Sequence, residues 1–118
     1  MQFLSLYTPA LAPSGPPDPE HMAKMGQLMQ EMFKAGVLVA TGGILSRNTG
    51  LRATLRNGSF SVEDGPVAGS SLMPAAGYAL LRVNSREELA RHLKTFLQMA
   101  GDGTAEVIQV MDGPPPPR

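Results

Sequence analysis

Between Leu51 and Glu63 polar and apolar residues alternate twice, with Asn57-Gly58 standing between the two runs. Asn-Gly suits a two-residue type I′ turn, because both of its central positions need positive φ. Closing the chain there sets Arg56 against Ser59, Leu55 against Phe60, Ala53 against Val62 and Arg52 against Glu63. Ala53, Leu55, Phe60 and Val62 then share one face, and Arg52, Thr54, Ser61 and Glu63 share the other. A one-residue slip would mix the two sets, so the pattern predicts a hairpin with a single register.

Helical spacing governs two further stretches. Asp18 is placed to cap a helix, with Pro19 at its first position and Glu20 in its first turn. Met22, Met25, Met29, Met32 and Phe33 recur on one side of it, while Lys24, Gln27, Gln30, Glu31 and Lys34 take the other. Gly36 supplies the stop. Ser85-Arg86-Glu87-Glu88 has the form of a capping box, followed on one face by Leu89, Leu93, Phe96, Leu97 and Ala100, and then by Gly101. Short apolar runs predict strands over 3–7, 37–41, 77–83 and 104–111. Segments 9–17, 44–50 and 68–76 are predicted loops, the first because it holds four prolines and a glycine. Four consecutive prolines predict a polyproline tail over 113–118, outside a single domain of residues 1–112.

The resulting order, β-α-β, hairpin, β-α-β, predicts an α+β fold. It resembles the ferredoxin-like plait, an antiparallel sheet with two helices on one face. Phe3, Ala79, Leu81, Val107 and Ile108 put apolar side chains on both sides of their strands, more than one helical layer covers. A monomer seldom leaves several hundred Å² of such surface bare, so the pattern also predicts an isologous homodimer closed sheet against sheet.

Composition narrows the function. In 118 residues, ten basic and ten acidic side chains cancel and no basic run appears, which argues against a nucleic-acid partner. The chain has no cysteine, removing disulfides, thiol nucleophiles and thiolate metal sites, and fitting a reducing compartment. Residues 1–6 lack a basic region and a signal-length apolar run, and no segment approaches the ~20 apolar residues of a membrane span. A cytoplasmic location without membrane attachment is expected. Eight methionines, many in the first helix, offer adaptable apolar surface for a core or a pocket.

Met1-Gln2-Phe3-Leu4, Gly36 to Ala40 with Gly42-Gly43, Arg56-Asn57-Gly58, Asp64-Gly65-Pro66 and Gly77-Tyr78 follow one another along nearly the whole chain. In order and spacing they resemble the YCII-related family, most of all its DGPF-type branch. The resemblance implies a ferredoxin-like subunit that pairs into a dimeric α/β barrel, often cytoplasmic. Some members are encoded with, or fused to, extracytoplasmic-function sigma factors, which makes such a factor a partner implied by the resemblance. A few relatives act in the breakdown of chlorinated aromatics. The branch usually follows Asp-Gly-Pro with Phe and then an acidic and a basic residue. Here Val67 takes the place of Phe, residues 68–73 carry no charge, and Ala76 replaces the first glycine of a Gly-Gly-Tyr strand start. That departure favours a binding or structural role.

Five residues are candidates for a site. YCII-type proteins carry a histidine near this helix start, and a histidine-aspartate pair is their suggested active site. His21 and Asp64 are the residues here that resemble it. An imidazole is suited to a general base, and a carboxylate to fixing its tautomer. Equally, His21 is a first-turn residue without a task, and Asp64 before Gly65-Pro66 caps its own turn. Met25 and Tyr78 are candidate ligand contacts, although Tyr78 also suits a sheet edge. Arg52 either pairs with Glu63 or meets an anionic ligand. His92 flanks the second apolar stripe, where an exposed or satisfied histidine is the ordinary account. Gly42-Gly43 lacks the remaining pattern of a phosphate loop, two histidines without helix-spaced partners predict no metal site, and no cofactor is expected. Two functions remain. One is an enzyme or binder of a small apolar or aromatic molecule, with a methionine-lined pocket between the first helix and the sheet or at the dimer seam. The other is a non-catalytic dimeric regulatory module.

Overall fold

The computed structural model describes residues 1–10, 18–45, 50–65 and 75–112. The central part of the proline-rich loop, segment 46–49, Val67 with the uncharged loop after it, and the polyproline tail lie outside the described residues. The elements are β1 (Gln2–Pro9), α1 (Pro19–Lys34), β2 (Leu38–Gly43), β3 (Leu51–Arg56), β4 (Ser59–Asp64), β5 (Gly77–Arg82), α2 (Arg86–Ala100) and β6 (Gly103–Val110). Strands β2-β5-β1-β6 form an antiparallel sheet in that order, and β3-β4 form a sheet of their own. The fold is α+β and compatible with the ferredoxin-like plait. Among the described residues of the chain the four-stranded sheet stays open and does not close into a barrel.

Both helices are punctuated as their sequences predict. Asp18 Oδ1 accepts from the Glu20 N–H at 3.1 Å, with Pro19 beginning the helix. At the other end Gly36 has φ +77°, a value that favours glycine. Its N–H donates to the Phe33 carbonyl at 3.1 Å, and the Val37 N–H donates to the Met32 carbonyl at 3.0 Å. This pair of bonds is the Schellman arrangement, and the two residues it brings together, Met32 and Val37, are both buried in the core. The end of α1 is thereby tied to the start of β2. In α2 the Ser85 Oγ accepts from the Glu88 N–H at 3.1 Å, as a capping box requires. The Glu88 carboxylate, however, accepts from the Asn84 N–H at 2.8 Å, one residue beyond its usual partner.

Phe3, Met32, Val37, Leu38, Leu81, Val83 and Leu89 form the core, with Leu28, Met29, Ala79, Leu93 and Val107 against it. One cluster joins both helices to the same sheet face. Each fully buried aliphatic or aromatic side chain contributes about 1.5–3 kcal/mol, so this knot carries much of the stability. The apolar stripe of α1 is narrower than its sequence implies: Met22 and Phe33 are exposed. Both lie at the same edge of the helix surface, 60–80° or so around from Met25, past the arc that reaches the sheet.

Strand alternation turns Leu4, Leu6, Leu80, Ile108 and Val110 to the face without helices. Ile108 is 66% exposed there. In β2 the pairing passes from Leu38 opposite Leu81 to Ala40 opposite Leu80, leaving Val39 as a bulged extra residue. The hairpin adopts the predicted register in full, from Arg56 opposite Ser59 to Arg52 opposite Glu63, with Asn57 and Gly58 both at positive φ. Its apolar face is not covered: Leu51, Leu55, Phe60 and Val62 are all exposed.

Two glycines in the edge strands differ in what a side chain would meet. A Cβ at Gly103 would stand 2.6 Å from the Thr8 carbonyl oxygen, whereas one at Gly42 would meet only the Tyr78 ring, at 2.8 Å. Backbone cannot swing aside as a ring can. Gly103→Ala is therefore expected to cost about 1–3 kcal/mol and Gly42→Ala less than about 1 kcal/mol, read as the shift in urea unfolding midpoint at constant slope.

Candidate functional site

The core fills only one end of the space between helices and sheet. Phe3, Leu38, Leu81 and Val83 belong to the start of β1, the start of β2 and the end of β5 with the residue after it. Toward the other end the same strands offer Gly42, Gly43, Ala76, Gly77 and Ala79, which have little or no side chain to raise into the layer. A cavity of about 430 Å³ opens above them. Its volume lies within the range of ordinary small-molecule sites.

His21, Met25, Met29 and Met32 line the cavity from α1, and His92, Leu93, Phe96 and Ala100 from α2. Ser5 and Tyr7 border it from β1 and Thr41 from β2. Tyr7 and Phe96 meet edge to face, with ring centroids 5.4 Å apart. The Tyr7 ring also lies against Gly103, where a Cβ would come within 2.8 Å of it. Among the described residues no lysine, arginine, aspartate or glutamate lines this space. An apolar chamber with two imidazoles, a serine, a threonine and the Tyr7 phenol is suited to uncharged, compact molecules.

The five candidate residues divide. His21, Met25 and Tyr78 border the cavity. Strand alternation turns the Tyr78 ring to the helix-free face, where it covers Gly42, while its carbonyl accepts from the Thr41 hydroxyl at 2.9 Å. Asp64 and Arg52 belong to the hairpin and are not among the lining residues. Asp64 pairs with Leu51 at the hairpin's open end, where the Gly65 N–H donates to the Gly50 carbonyl at 2.7 Å. Among the described residues no group of three or more histidine, cysteine, aspartate or glutamate side chains is arranged to hold a metal.

His92 is the residue that sequence reasoning undervalued. It lies half-buried on the cavity wall, its Nε2 3.7 Å from Glu88 Oε1. The available signal was the four-residue spacing of Glu88, His92, Phe96 and Ala100, which stacks them along one side of α2. No family model matches this chain, and no curated protein matches it.

The aromatic contact across the cavity is measurable by itself. A double-mutant cycle with Tyr7→Leu and Phe96→Leu is expected to yield a coupling of about 0.5–1.5 kcal/mol in denaturant unfolding. A coupling of zero would mean that the two rings do not support one another.

Proposed function

We propose that this protein binds a small apolar or aromatic molecule in the cavity between its two helices and the sheet. The observation that carries this reading is an apolar chamber of about 430 Å³ whose floor includes Gly43, Gly77 and Ala79 and whose roof includes Met25, Met29 and Met32. Methionine side chains adapt to the shape of an occupant, and the glycine floor lets it approach the backbone closely. His21, exposed at the start of α1, is a polar group available to such an occupant and to proton transfer. Asp64 lies on the hairpin, so the reading stands on binding and not on a His21–Asp64 pair. It agrees with the departure from the DGPF-type pattern after Pro66, which removes the charged residues of the branch.

Toluene titrated into the protein is expected to shift the methyl resonances of Met25, Met29 and Met32 while leaving those of the exposed Met22 and Met111 in place. Ala79→Phe, which puts a ring where the occupant would lie, should abolish the shifts in a chain that still unfolds cooperatively. Toluene shifts that survive this substitution, or that spread evenly over all methionines, would contradict the reading.

A second reading concerns assembly. Leu4, Leu6, Leu80 and Ile108 form an apolar patch on the helix-free face, and the hairpin presents another in Leu51, Leu55, Phe60 and Val62. Such surface favours a homodimer closed sheet against sheet, the form that the YCII resemblance implies. Sedimentation equilibrium at micromolar concentration is expected to give twice the chain mass for the native protein and a monomer for Ile108→Lys. A native protein that stays monomeric would rule the dimer out.

A further inference from the structure

We infer that His92, held by Glu88, is a second polar binding group of the cavity and selects occupants that carry one hydrogen-bond donor, such as a hydroxyl on an aromatic ring. This rests on the reading of the cavity as a ligand site and specifies what that site discriminates.

Glu88 is fixed from two sides. Its backbone N–H donates to Ser85 Oγ at 3.1 Å, and its Oε2 accepts from the Asn84 N–H at 2.8 Å. A carboxylate so anchored leaves Oε1 as the oxygen facing the imidazole, with 3.7 Å to His92 Nε2. That distance is beyond a hydrogen bond yet within ion-pair reach, and both side chains are largely shielded from water, at 26% and 21% exposure. The negative oxygen favours the tautomer with its proton on Nε2. Nδ1 then keeps its lone pair and can only accept. His92 lines a chamber that has no charged lining residue among the described residues, and an Nδ1 turned to that chamber discriminates by hydrogen bonding: an occupant with a donor satisfies it, and an occupant without one leaves it without a partner. His92 is thus a binding residue, and Glu88, which acts through it, a positioning residue. The hydroxyl-bearing lining residues, Ser5, Tyr7 and Thr41 among them, do not compete for this role in the same way, because each can donate as well as accept.

The test compares 4-methylphenol with toluene, two molecules of nearly equal size that differ by one hydroxyl, using the methionine methyl shifts of the intact protein to obtain both affinities. The native chain is expected to prefer 4-methylphenol by roughly three- to tenfold. In His92→Leu that preference should fall to about one. In Glu88→Gln, which retains an acceptor for the Asn84 N–H, the long-range nitrogen–proton spectrum of His92 should change from the Nε2–H tautomer to a mixture, with a smaller preference. Equal affinity for the two probes in the native chain, or a preference unchanged in His92→Leu, would overturn the role of His92 and leave the cavity as a binding site. Failure of both probes to bind would remove the cavity reading and this inference together. A His92 tautomer identical in Glu88→Gln would overturn the positioning role of Glu88.

Discussion

Everything in this molecule follows from an unequal supply of side chains along one sheet face. At one end Phe3, Leu38, Leu81 and Val83 rise from the strands and hold Met32 and Leu89 of the two helices down upon them. At the other, Gly42, Gly43, Ala76 and Gly77 give the helices nothing to rest on. Close packing cannot be continued where there are no atoms to continue it. The helices are therefore fixed at one end by the core, while at the other the contact from the sheet is that of the Tyr7 ring with Phe96. The cavity is the remainder.

That inequality explains how much could be read from sequence. Local punctuation was legible because each signal has a single physical meaning: Asp18 before Pro19, Gly36 after Lys34, Asn57-Gly58 between alternating runs, Ser85 three residues before Glu88. The order of elements was legible for the same reason, and it fixed the antiparallel sheet. What periodicity could not show was the depth of burial. Met22 and Phe33 share the spacing of Met25, Met29 and Met32, yet only the packing in three dimensions separates the arc of α1 that meets the sheet from the edge that does not. The hairpin shows the same limit. Its register depends on alternation and a turn, both local, whereas the fate of Leu55 and Phe60 depends on what lies opposite, which alternation does not encode.

The candidate site was half legible. His21 and Met25 could be placed because they lie on a helix whose inward side is marked by neighbours at regular spacing. Asp64 could not, since its position in space depends on where a hairpin projects and not on its own surroundings. Gly42-Gly43 and Gly77 enter the sequence reading as family markers and, for the first pair, as failing the pattern of a phosphate loop, not as the floor of a space. Their meaning was subtractive: small residues inside strands mark where something else approaches. His92 was weighed alone, although its pairing with Glu88 and its stacking below Phe96 were both written in intervals of four.

The bulge at Val39 has a bearing on how copies of this chain avoid one another. β2 lies at one border of the four-stranded sheet, and an unpaired border is a template onto which foreign strands can be added. An extra residue there breaks the even ladder of donors and acceptors and bends the strand. Growth of the sheet sideways through β2 is thereby disfavoured, whereas among the described residues the border formed by β6 is regular along its pairing with β1 from Gly103 to Val110.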